Sequence, residues 1–134
     1  MIDWSDYANF SEREFACKGF AKGLCSCGGL AKMDPQFMDK LQRTRNLFGR
    51  PMVVNSGYRC PEYNVLVSKK KTGSSGPHTT GRAADIKVAS PAVVTLISAA
   101  LAADMLGFGP LQHGPYRGRY LHLDDLRRRL WTYE

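Results

Sequence analysis

Four polar side chains of this chain stand at spacings that could bring chemistry together: His78 with Asp85 seven residues on, and His122 with Asp124 two residues on. Imidazole nitrogen and carboxylate oxygen suit zinc, and the set His78, Asp85 and His122 leaves a fourth coordination position for water, the arrangement of catalytic rather than structural sites. Zinc so held polarises a carbonyl oxygen and brings the pKa of water toward ~7. Amide hydrolysis needs both effects. It also needs a group that carries the water proton to the leaving amine and a cation that holds the substrate or its oxyanion. Arg59, Tyr120, Asp124 and His113 are the candidates for those tasks. Each polar residue has a structural alternative: a surface hydrogen bond for His78, an ion pair with Arg82 or Lys87 for Asp85, a satisfied core histidine for His122, an ion pair or a cap for Asp124, a surface ion pair for Arg59 and simple exposure for His113. Asp85 fits its alternative least well, because it sits in an apolar strand and an unpaired buried carboxylate is costly.

For these groups to meet, the chain must supply two adjacent strands. Ala83 to Val88 reads as one, with Asp85 on the face opposite Ala84 and Ile86; Arg119 to Asp124 reads as the last, with Tyr120, His122 and Asp124 sharing a face against Leu121 and Leu123. Paired side by side, they bring Asp85 and His122 to one point. The polar loop 68–82 delivers His78, with Gly81 permitting a tight turn. Pro51 to Asn55 reads as a strand leading into Ser56-Gly57-Tyr58-Arg59. Helices are expected after the capping box Ser11-Glu12-Arg13-Glu14, from Asp34-Pro35 to Gly49 with Phe37, Met38, Leu41, Thr44 and Phe48 inward, and from Pro61 through Val67. Ser90-Pro91 opens a further helix, with Val93, Val94, Leu96, Ile97, Ala100 and Leu101 buried and its end near Gly107. A return strand is expected around Met105 to Gly109, and 109–118 as loop. The fold class is therefore α+β: a small, mainly antiparallel sheet flanked by helices, in a single domain over residues 1–134.

With 134 residues, 43% hydrophobic and 23% charged, the chain lies well away from disordered compositions and is long enough to bury a core. No apolar run approaches the ~20 residues that span a bilayer, and the opening lacks the basic start and apolar stretch of a signal peptide. The formal charge of +7 favours polyanionic partners. Its excess lies in Lys69-Lys70-Lys71 and in Arg117, Arg119, Arg127, Arg128 and Arg129, with few aromatic platforms among them, so it reads as solvated charge and not as a specific nucleic-acid surface. Cys17, Cys25, Cys27 and Cys60 allow two disulfides, a thiolate metal site or free thiols. They lack the paired C-x-x-C of a zinc ribbon, so reduced thiols or one bridge are expected, with a second, structural zinc as the alternative.

Three blocks carry a resemblance: Ser56-Gly57-Tyr58-Arg59-Cys60-Pro61 followed by Asn64; His78-Thr79-Thr80-Gly81-Arg82-Ala83-Ala84-Asp85-Ile86; and Tyr120-Leu121-His122-Leu123-Asp124. In order and separation they resemble the "SGYR", "HxxGRAADI" and "(F/Y)hHhD" blocks of the zinc D-alanyl-D-alanine carboxypeptidase and murein endopeptidase family, over roughly residues 10–125. The resemblance implies the fold shared with the hedgehog signalling domain, one zinc ion on His78, Asp85 and His122, and Arg59 on the substrate or the developing oxyanion. It further implies peptidoglycan stem peptides as the partner, cut beside D-amino acids; from the sequence itself a monomer with no specific nucleic-acid partner and no membrane insertion is expected. With no leader evident, the expected setting is cytoplasmic synthesis with phage-type release to the cell wall, or a secreted enzyme whose leader has been removed. Relatives often carry serine two residues before the first zinc histidine, where this chain has Gly76; some place glutamate three before the last, where it has Arg119, and others histidine two before, where it has Tyr120. The general base is therefore expected to be Asp124, on the strand face of His122, with His113 second; orienting His122 or Arg59 is the other role open to Asp124.

Overall fold

Helix signals and strand periods both translate into structure in the computed structural model, which describes residues 2–133. Helix α1 (Glu12–Phe15) starts where the Glu14 carboxylate accepts the Ser11 backbone N–H at 2.7 Å, and it delivers Phe15 to the core. Helix α2 (Pro35–Phe48) is capped by Asp34, whose carboxylate accepts from the N–H groups of Gln36 and Phe37, and it ends at Gly49 in the left-handed region. Its stripe Phe37, Met38, Leu41, Thr44 and Phe48 is buried as expected. Strand β1 (Val53–Ser56) and helix α3 (Pro61–Val67) follow where the breakers place them.

Strands β2 (Ala83–Lys87), β3 (Gly107–Leu111), β4 (Tyr120–Asp124) and β5 (Arg129–Leu130) complete a sheet of order β1-β2-β4-β3-β5. All pairings are antiparallel except β3 with β5. The β2–β4 register sets Asp85 directly opposite His122. One face of these strands, Ala84, Ile86, Leu121 and Leu123, packs into a core with Phe37, Met38 and Leu41 of α2 and with Leu96 and Ala100 of helix α4 (Ala92–Ala102). Each large side chain so buried contributes about 1.5–3 kcal/mol. The alternate face is left for the polar residues.

Several boundaries differ from the sequence reading. The Ser90–Pro91 peptide is cis and Pro91, not Ser90, occupies the cap of α4. The helix stops at Ala102, ahead of Asp104 with its φ of 69°, so Val94 and Leu101 fall on the solvent side at 67% and 57% exposure while Val93, Leu96, Ala99 and Ala100 face inward. Residues 109–111, expected as loop, belong to β3, because β4 pairs with them from His122 back to Tyr120; β5 flanks only Gly107 and Phe108. β4 lies centrally between β2 and β3, and β5, not β4, is the last strand of the chain among the described residues. Inside loop 68–82 a single 3-10 turn, Pro77–Thr80, fixes His78, and Gly81 ends it with a φ of 76° beside the Lys32 carbonyl, where no side chain fits. Arg82 anchors the whole region: it pairs with Asp34 at 2.7 Å and with both oxygens of Asp125, which Lys40 also meets at 3.0 Å.

Candidate metal centre and its cavity

β2, β4 and the Pro77 turn converge so that His78, Asp85 and His122 each offer a ligand atom within 4.8 Å of the others. Nε2 of His78 lies 3.2 Å and Nδ1 of His122 3.0 Å from the same oxygen, Oδ1 of Asp85. The opposite ring nitrogens are tied from behind. His78 Nδ1 is 2.8 Å from the Gly57 carbonyl, which can only accept, so Nδ1 carries the proton and Nε2 presents its lone pair to Asp85. His122 Nε2 is 2.8 Å from Oδ2 of Asp124, an arrangement that likewise directs Nδ1 forward.

Electrostatics make this crowding informative. Burial holds the His78 ring below its ordinary pKa in spite of the Asp85 charge, so it is neutral. Burial also opposes charge on His122, but its hydrogen bonds to Asp124 and Asp85 outweigh that and move it upward. For Asp85, burial acts upward but the pKa is lowered overall, with His122 Nδ1 as the hydrogen-bond donor that favours its ionised form. Asp124 follows the same pattern with His122 as its partner. A neutral imidazole lone pair thus faces a carboxylate oxygen at 3.2 Å, an arrangement that a cation between them relieves. Two histidines and one aspartate with fixed tautomers fit a divalent metal such as zinc.

This cluster forms part of a cavity of about 610 Å³. Arg59 enters from the turn after β1, held by Ser56 Oγ at 3.2 Å, Asn64 Oδ1 at 3.4 Å and Asp85 Oδ2 at 3.4 Å. Asn64 in turn donates to Thr72 and to the Gly73 carbonyl, so one side chain ties the loop after α3 to Arg59. Gly76 stands where a side chain would run into Thr72 and Asn64, so the serine that the resemblance places at this position has no room here. Tyr120 lines the cavity, and burial pushes its hydroxyl pKa upward, leaving a protonated donor.

Two expected base candidates lie elsewhere. Asp124 is fully buried behind His122 and does not line the cavity; room for its carboxylate exists because β3 has Gly107 opposite it. His113 is exposed, and its Nε2 lies 3.0 Å from the Tyr133 carbonyl, outside the lining. Arg119 turns back onto the Gly114 carbonyl. Conversely, the C-terminal segment, read as solvated charge, forms a wall: Trp131 packs 4.9 Å from the His122 ring, over Gly109, and Arg129 sits 4.4 Å above Trp131. The available signal was the alternation of Trp131 and Tyr133 after a short polar link, which β5 docking turns toward the site. Lys69 and Lys70, also read as solvated, stand over the rings of Tyr120 and Tyr133.

The four cysteines are free, and they too converge within 4.8 Å of one another, away from the cavity lining. No helix among the described residues is long and apolar enough to cross a membrane.

A cluster of two histidines and an aspartate in a cavity, on a mainly antiparallel sheet backed by helices, has the layout of a small α+β metallopeptidase. The peptidase M15 family matches residues 8–124, and the chain belongs to that family. No curated protein matches the sequence.

Proposed function

We propose that the protein is a zinc-dependent peptidase that hydrolyses peptidoglycan stem peptides or cross-links next to D-amino acids, as a D,D-carboxypeptidase or an endopeptidase. The observation that carries this reading is the convergence of His78, Asp85 and His122 on one side of a cavity large enough for several peptide residues. Held by these three side chains, zinc supplies Lewis acidity to the scissile carbonyl and to water. Arg59, pre-aimed by Ser56, Asn64 and Asp85, binds a substrate carboxylate or the developing oxyanion. Tyr120, kept protonated, donates a hydrogen bond to the same oxygen atoms. Asp124 acts as a positioning residue that fixes the tautomer of His122, and not as the base, since it has no access to the cavity.

The cavity's charge supports an anionic substrate. Lys18, Lys22, Arg59, Lys69, Lys70 and Arg129 line it against the single carboxylate of Asp85 among the described residues. Nε of Arg129 and Nε1 of Trp131 are buried there without an acceptor, which suits the carboxylates and carbonyls of a stem peptide. The setting proposed is the cell wall, reached by phage-type release or by secretion, with the protein acting as a monomer.

The test is mass spectrometry of products from defined muropeptides with and without chelator. Chelator-sensitive release of D-alanine or of cross-link fragments is expected. One observation favours a second reading, a zinc-containing binding module without turnover: among the described residues no carboxylate besides Asp85 lines the cavity to serve as base. Retention on isolated sacculi with no product released would select that reading and overturn the first.

A further inference from the structure

We infer that Cys17, Cys25, Cys27 and Cys60 form a second, structural metal site: a four-thiolate zinc centre that staples the 18–33 loop to the turn bearing Arg59. The sulfur atoms lie within 4.8 Å of one another, with Cys17 to Cys25 at 3.9 Å and Cys25 to Cys27 at 3.6 Å. A disulfide requires ~2.05 Å, far shorter than either. A tetrahedral zinc with sulfur at ~2.3 Å spaces its ligand atoms about 3.8 Å apart, which these separations match. All four coordination positions are filled by the protein, the closed form of a structural site.

The surroundings suit thiolates. The Cys60 backbone N–H donates to Cys17 Sγ at 3.4 Å, and the Tyr63 N–H, in the first turn of α3, donates to Cys60 Sγ at 3.4 Å. The Gly29 and Leu30 N–H groups are directed at Cys27, which Gly28 and Gly29 permit by adopting φ values of 79° and 76°. N–H groups aimed at sulfur are the outer support that a thiolate ligand needs.

A second observation is independent of the sulfur geometry. Segment 18–33 forms turns without a helix or strand, and Met33 is its only large apolar side chain in the core, whereas Phe20, Leu24 and Leu30 are 51%, 43% and 38% exposed. A loop of this length with so little burial requires another source of order; small domains use disulfides or a structural metal, and the sulfur separations here exclude the former. Its side-chain ties to α3 are polar and lie at the surface or partly buried: Ser26 N–H donates to the Glu62 carboxylate at 2.7 Å and Lys22 Nζ to the Tyr63 hydroxyl at 3.3 Å. Zinc binding releases the thiol protons, so no oxidant enters the balance.

The experiment is elemental analysis of protein purified with reductant and zinc but no chelator, alongside the variants His78→Ala and Cys27→Ser. Two zinc ions per chain are expected in the parent and one in each variant. Cobalt substitution of His78→Ala should give the intense near-ultraviolet sulfur-to-metal absorption of a thiolate site, absent from Cys27→Ser. Native His78→Ala should also resist thiol alkylation until a strong chelator is added. One zinc in the parent, lost in His78→Ala, together with rapid alkylation of native thiols would overturn the inference, as would a native mass lighter by four hydrogen atoms, the mark of two disulfides. Because the His78→Ala readouts do not involve hydrolysis, failure of the peptidase reading leaves them interpretable.

Discussion

The His–Asp cluster and the cysteine cluster pose one physical problem, several lone-pair-bearing atoms packed within 4.8 Å, and the chain resolves it in opposite ways. Around His78, Asp85 and His122 the protein supplies three ligand atoms, ties their far sides to Gly57 and Asp124, and leaves the front open to a charged cavity. Around the cysteines it supplies four, with no opening onto the cavity. The short segment Ser56–Cys60 serves both: the Gly57 carbonyl holds His78, Arg59 meets Asp85, and Cys60 joins the sulfur cluster. An open centre can exchange ligands and react; a closed one can only hold. The difference teaches that the cysteine cluster bears on catalysis through geometry, by fixing the turn from which Arg59 reaches the site.

Removing a ligand on the open side should have the largest effect. His78→Ala is expected to lower hydrolysis of defined muropeptides by at least about 10³-fold, the scale of losing preorganised transition-state stabilisation. Initial rates check this, and wild-type rates in the variant would place the active site elsewhere. Arg59→Ala should follow, with kcat/KM down about 10²–10³-fold. Arg59→Lys should not restore it, since a point charge cannot reproduce the fork that meets Ser56, Asn64 and Asp85 together. Full activity in Arg59→Lys would reduce the arginine to a counter-ion for Asp85.

The effect of Asp124→Asn should be smaller, about 10–100-fold in zinc affinity or activity, because it loosens the orientation of His122 without removing a ligand. Competition with a chromogenic chelator measures the affinity directly. If turnover falls to the level of His78→Ala while zinc stays bound as tightly as in the parent, Asp124 is the base after all, reached by a rearrangement that exposes it.

How much of this was readable in the sequence follows from how local each signal is. The α2 cap and stripe, the strand alternation of Ala83–Lys87 and Tyr120–Asp124, and the resulting meeting of Asp85 with His122 rest on periods within a few residues, and they were legible. The role of Asp124 was only half legible. A period of two puts it on the face of His122, but not behind the ring, a position that depends on Gly107 of another strand. The cysteine convergence was not legible, because Cys60 approaches the others through the tertiary path that brings α1 and α3 together, and spacings of eight, two and 33 residues fit no short motif. Nor was β5, only two residues long, whose pairing swings Trp131 onto His122.

The smallest expected effect belongs to His113, and it sharpens the sorting of open from closed surroundings. His113 is the one histidine outside the centre, it is exposed, and its recorded partner is the backbone carbonyl of Tyr133. That bond helps seat the aromatic wall yet places no imidazole nitrogen in the cavity. His113→Ala should therefore leave kcat unchanged and raise KM slightly, through a looser Tyr133, while His113→Gln, which can still donate to the carbonyl, should restore KM. A fall in kcat with KM unchanged would mean instead that the 112–118 segment folds over bound substrate and brings the imidazole to the reacting atoms. The proton acceptor missing from the static cavity would then be a loop histidine, and the division between groups that touch substrate and groups that only support them would move from the sheet to that loop.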